Sequence, residues 1–241
     1  TLSDTPIAEQ IICAVDLGIN TDAVCSIMKA DGTILARKFI DFTSDKDRMI
    51  HAMNRTRRKQ SKYGPKSVRG LWAYVKRLNE DRAKKISAAI VEFASQHSVD
   101  AIVIEHLDFK GCKKRGSKAQ RLSMWNHGII REKVEQKAHL LGIRIATICA
   151  WKTSALAFDG SGSVTRDDNN HALATFTTGK QYNCDLSASY NIGARYFIRE
   201  LLKSLPATEE SRVKAKVPDA GRRTSCTLST LRALVKELSA A

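Results

Sequence analysis

The stretch IICAVDLGIN (11–20) decides how the rest of the chain is read. Ile11–Asp16 is a short apolar run that stops at an acid, the pattern of a buried strand whose last side chain is a carboxylate. Two further strand-like runs follow, Ala23–Met28 and Thr33–Phe39, around Asp31-Gly32, a strong hairpin-turn dipeptide. These predict an antiparallel meander of three strands. From Ser44 to about Ser98 the periodicity is helical, with a break at Tyr63-Gly64-Pro65, and Leu71, Val75, Leu78, Ile86, Ile90 and Phe93 form one apolar stripe.

Ala101–Glu105 (AIVIE) repeats the opening pattern, a buried-type strand ending in a carboxylate. Ile130, Val134, Ala138 and Leu141 mark a helix face closed by Gly142. Ile143–Ala150 reads as a fifth strand. A Gly/Ser/Thr/Asn-rich stretch covers 152–183, and a long helix is expected from about Asp185 to Leu205, burying Ala194, Phe197, Ile198, Leu201 and Leu202. Residues 206–241 read as a basic tail with one short helix, Leu228–Leu238. A meander followed by strands alternating with helices is the layout of an RNase H-like α/β domain.

The 241 residues include 40 Lys and Arg against 25 Asp and Glu, a formal charge of +15. Positive charge concentrates in 55–69 (seven basic residues, no acid), 110–121 (six, no acid) and 212–223 (five against Asp219), leaving the rest near neutrality. Basic stretches on a neutral body are the footprint of phosphate-backbone binding. No run is long and apolar enough for a membrane span, so no membrane partner is expected. The six cysteines are scattered with no C-x-x-C, against a disulfide scaffold and against a zinc ribbon, and for a reducing, cytoplasmic setting.

Three acids stand out: Asp16 and Glu105 at strand ends, and Asp185 at the start of the last long helix. Singly, each reads equally as a solubilising strand end or a helix cap, Asp185 above all. Together they read as a cation site, because clustered carboxylates repel unless neutralised. Mg²⁺ takes such oxygen ligands along with water and phosphate, and Mn²⁺ can substitute. Two such ions suit an in-line phosphoryl displacement.

AVDLGIN (14–20), AIVIEHL (101–107) and YNCDLSASYNIGARYFI (182–198) resemble the three RuvC motifs of transposon-encoded TnpB proteins and type V CRISPR effectors. Residues 116–154 are similar to the family's stretch in which a Trp precedes a helix, a strand and a Thr-Ser pair. The resemblance spans roughly residues 11–205. It implies a RuvC nuclease centre at Asp16, Glu105 and Asp185, binding metal and hydrolysing DNA, with a guide RNA pairing to target DNA. Residues 1–151 would then hold the first part of the RuvC domain with inserted basic helices. Residues 152–182 would be the target-nucleic-acid-binding insert, and 183–205 the third motif.

The chain departs from the family in three ways. The insert lacks the four cysteines of the zinc ribbon many members carry, so structural zinc is not expected and packing must hold it. Asn183 and Ser187 stand where relatives often have an acid and an Asn. Fifteen residues precede Asp16, against the N-terminal lobe usual in the family; a fragment is the favoured reading, with a partner subunit or homodimer as the alternatives. Nucleic-acid contacts are expected from Arg57, Arg58, Lys59, Lys62 and Arg69 along the duplex. A lid over the centre would use Lys113, Lys114, Arg115, Lys118 and Arg121. Trp125 reads either as a base-stacking residue or as a core anchor. Two other functions remain open at this stage: a guided DNA-binding repressor or transposition factor with weak or no cleavage, and a stand-alone RuvC-type resolvase.

Overall fold

A computed structural model describes residues 4–107, 125–167, 170 and 172–240. Its central sheet is built from β1 (Ile11–Asp16), β2 (Ala23–Lys29), β3 (Ile34–Ile40), β4 (Ala101–His106) and β5 (Arg144–Cys149), in the order β3-β2-β1-β4-β5. The hairpin partners β1, β2 and β3 are antiparallel, and β1-β4 and β4-β5 are parallel. The β2–β3 turn is made by Asp31-Gly32 as the dipeptide predicts: Gly32 adopts φ +81°, and the Asp31 carboxylate accepts from Thr33 N at 2.8 Å.

Strand alternation sorts the apolar side chains into two layers. Cys13, Val15, Cys25, Ile27, Ile102 and Ile104 meet two helices, α2 (Arg69–Gln96) and α3 (His127–Leu140). Ile12, Ala14, Val24, Met28, Ala101 and Val103 face the other way, onto α4 (Cys184–Ser204). By the same period of two, Asp16 and Glu105 fall on the α4 side.

Helix α4 lies against β1 and β2 along a glycine. A Cβ on Gly193 would stand 2.9 Å from Met28 Cε and 3.2 Å from Ala14 Cβ. Gly193→Val is therefore expected to lower stability by about 2 kcal/mol through overpacking, read from the urea midpoint at unchanged m-value.

A helical hairpin of α1 (Thr43–Tyr63) and α2 follows β3, turning at Gly64 with φ +81° and closed by Met49, Met53 and Val75. The insert forms a small antiparallel sheet of β6 (Thr165–Arg166), β7 (Leu173–Thr175) and β8 (Gln181–Asn183). Aromatic packing holds it: Phe158 makes edge contacts with Phe176, Tyr182 and Tyr190, the last of these on α4, with centroids 4.9–5.5 Å apart. Tyr182 and Tyr190 share a hydroxyl hydrogen bond of 3.1 Å.

Residues 206–240 hold more than the basic tail with one short helix that the sequence suggests. They form α5 (Ala207–Lys216) and α6 (Leu228–Ser239), and Val213, Leu231 and Leu234 are fully buried in the α4 layer. The basic residues of 212–223 mask this from a charge count, because the apolar positions that matter are spaced three apart and pack on elements distant in sequence. Arg232 of α6 reaches back to the carbonyl of Gly32 at 3.2 Å. Tyr196 of α4 donates to Gln10 just before β1 at 2.9 Å.

Candidate active site

The two strand-end acids lie side by side. Val15 pairs with Ile104 across the parallel β1–β4 ladder, so the next residues, Asp16 and Glu105, are neighbours at its carboxyl end. Both are nearly buried, at 9% and 8% exposure. His106 alternates to the solvent side, as the pleat requires.

Asp185 enters from α4. The cap of that helix is Asn183, whose side chain accepts from Leu186 N at 2.8 Å, so Asp185 in the first turn is left free of capping duty. A hydrogen bond from Thr21 reaches it instead. Gly18 makes the intervening loop possible, since a Cβ there would stand 2.5 Å from the Thr21 carbonyl oxygen. The loop is anchored by Asp22, which pairs with Arg82 of α2 in the core and accepts from Phe42 N at 2.9 Å.

Electrostatics join the three carboxylates. Burial, then the charges of Glu105 and Asp185, push the Asp16 carboxyl well above its ordinary value, while Arg166 pulls it back. Burial also raises Glu105, opposed by the Thr153 hydroxyl and by Arg195. Asp185 is raised by burial and lowered by Thr21 and Arg166. Among the described residues no three His, Cys, Asp or Glu side chains close around a single point. The donor set still fits Mg²⁺, which binds through one or two carboxylates and fills its shell with water and phosphate oxygen. Mutually repelling, desolvated carboxylates are the groups a divalent cation would stabilise most.

Sequence reasoning missed the residues that hold these acids. Thr153 Oγ1 lies on Glu105 Oε1 and 3.0 Å from the Ala150 carbonyl. Asn191 Nδ2 donates to the carbonyls of Thr153 (3.0 Å) and Leu156 (2.9 Å), and its Oδ1 accepts from Leu228 N. Arg195, almost buried, donates to the carbonyls of Cys149, Trp151, Thr224 and Cys226 at 2.8–3.2 Å. Arg166 on β6 brings the insert to the acids and donates to Ser154 Oγ at 2.9 Å. Asn191 and Arg195 stand on the α4 face one turn apart, the available signal, but their partners are distant in sequence.

The basic residues divide. Arg58, Lys59 and Lys62 are exposed on α1, Arg57 is half-buried there, and Arg69 is exposed at the start of α2. His51, Asn54, Arg55, Arg58 and Lys59 share one exposed face of α1, a helical stripe that the count of basic residues did not resolve. Lys113, Lys114, Arg115, Lys118 and Arg121 lie outside the described residues. Trp125 is half-buried against the α2–α3 layer, 5.2 Å from the His127 ring.

No family model matches the chain, and no curated protein matches it. Solved structures do. Cas12f1, determined with sgRNA and target DNA, superposes with a TM-score of 0.57 at 19% identity, over 79% of this chain and 51% of that one. AacC2c1, determined in a binary complex with sgRNA, gives 0.57 at 10% identity, over 78% of this chain and 39% of that one. The chain thus spans about half or less of the length of these proteins. Sheet order, crossing helix and superposition agree: this chain has the RNase H-like fold of the RuvC type, shared with the matching portions of Cas12f1 and AacC2c1.

Proposed function

We propose that this chain is the nuclease portion of an RNA-guided DNA endonuclease, hydrolysing phosphodiester bonds with Asp16, Glu105 and Asp185 as the acidic centre. The observation that carries this reading is the placement of two nearly buried carboxylates, Asp16 and Glu105, side by side at the carboxyl end of β1 and β4, with Asp185 of α4 close enough for its charge to raise Asp16. Mg²⁺ or Mn²⁺ held by these carboxylates would supply an activated water and charge neutralisation at the phosphate. The chain's own residues do the rest. Thr153 and Thr21 orient Glu105 and Asp185, and Arg166 offers a cation to phosphate oxygens beside them. The α1 face of Arg55, Arg58 and Lys59 suits a duplex backbone, with contacts that are salt-sensitive and blind to sequence.

The likeness to two sgRNA-bound proteins supports guide RNA and target DNA as partners. The share of their length that the chain spans supports an additional lobe or partner subunit that grips the guide. The test is cleavage of labelled single-stranded and duplex DNA in Mg²⁺, with and without RNA transcribed from the protein's own locus. RNA-dependent cutting supports the full reading. Cutting without RNA reduces it to an autonomous RuvC-type enzyme, and RNA retention with no cutting points to a guided binding protein.

A further inference from the structure

Trp151 is the most conspicuous side chain beside the acids that the centre does not use. It follows β5, whose end abuts Glu105 in the ladder, and it is 64% exposed. The backbone beneath it is held on every side. Arg195 Nη1 donates at 2.8 Å to the carbonyls of both Cys149 and Trp151. Two residues on, Thr153 touches Glu105, and Asn191 fixes the Thr153 carbonyl. Between them Lys152 takes φ +61°, a conformation unusual for a side chain with a Cβ, which keeps the turn sharp. Ser154 closes the turn on Arg166, the cation that faces Asp16 and Asp185.

A large aromatic ring standing in water on a clamped turn is an arrangement suited to stacking, because the ring loses little freedom when a partner arrives. The same turn carries a cation next in sequence, Lys152, and is tied through Ser154 to a second, Arg166. The geometry points to Trp151 as a stacking platform for one unpaired base of a single strand whose adjoining phosphate lies at the acidic centre. This deepens the function proposed above and rests on it for what the centre does. An unpaired base is the fitting occupant, because both faces of a base inside a duplex are already covered by its neighbours. Stacking accepts every base, so the platform positions the strand and does not read it.

The test is binding of fluorescent oligonucleotides in EDTA: a single strand, the same strand with one abasic position moved along it, and its duplex. Trp151→Ala is expected to weaken single-strand binding about tenfold and Trp151→Phe far less, with duplex binding unchanged. The slope of affinity against salt stays at its wild-type value, since no phosphate contact is removed. On a strand no longer than the footprint, so that its ends fix the register, wild-type binding should drop at one abasic position and not at others, and Trp151→Ala should abolish that dependence. Equal affinity of wild type and Trp151→Ala for the single strand overturns the proposal, as does an equal loss on strand and duplex. Cleavage by the wild type in Mg²⁺, run in parallel, separates the two readings. Cutting with unchanged binding of the variant removes the platform and keeps the nuclease. Loss of single-strand binding in a protein that never cuts does the reverse.

Discussion

On the function proposed above, Asp16→Asn is expected to abolish metal-dependent cleavage, a loss of at least about a thousandfold, while nucleic-acid binding persists. Several kcal/mol of transition-state stabilisation disappear when a metal-holding carboxylate is removed, and each 1.4 or so is about tenfold in rate. The same substitution is expected to stabilise the metal-free protein. Asp16 is held against its own burial and against the charges of Glu105 and Asp185, and a neutral amide of the same shape relieves both.

The pH dependence follows from the direction of these shifts. In the unfolded chain the carboxyls titrate near the ordinary value of about 4, whereas in the folded chain all three keep their protons to higher pH. The folded state therefore binds more protons in that interval, and stability falls as pH rises through it. Melting temperature measured in EDTA should decline from about pH 4 upward into the raised folded range, and Asp16→Asn should flatten the decline. Divalent metal should restore stability at the high end, where the carboxylates are charged. A wild-type melting temperature that rises steadily over this range in EDTA would show that the three acids are not coupled.

Arg195→Ala is expected to produce the largest loss of stability, about 4 kcal/mol, since four backbone carbonyls lose their donor at once and a buried unmet acceptor costs about 1–3 kcal/mol. Water entering the space left by the side chain limits the sum. The loss should appear in urea unfolding, together with new protease sensitivity around Thr224–Cys226, where Arg195 ties down the segment leading into α6. Arg195→Lys should recover only part, because an ammonium cannot span the fork of carbonyls that the planar guanidinium reaches. Glu105 also loses a facing cation in Arg195→Ala, which should raise its carboxyl further.

The strands and their acids were legible because alternation and buried-run patterns are local. Ile11–Asp16 and Ala101–Glu105 each announce a strand and its terminal carboxylate within six residues or fewer. The α4 boundaries were legible within a residue or so for the same reason. The support of the acids was not. Thr153 reaches Glu105 from 48 residues away, and Arg195 reaches Cys149 from 46, distances at which no period or spacing carries a signal. The packing of residues 206–240 was not legible for a related reason. Leu228, Leu231 and Leu234 were placed in the short helix Leu228–Leu238, which the structure has, but their burial shows only once α4 is there to cover them. Asn183 was read as a departure from relatives, and it serves as the helix cap that leaves Asp185 free.

The link from Arg232 to Gly32 joins positions 200 residues apart, and that from Tyr196 to Gln10 joins positions 186 apart. Contacts of such span close late, because the loop entropy must be overcome before they reward the chain. During synthesis the first hairpin and β4 emerge long before α4 can bring Asp185 to them, and before α6 can seal the layer behind it. The acidic centre is thus absent from the growing polypeptide until α4 has been made. The site is completed from the later part of the chain, after the sheet that carries its first two acids has been made.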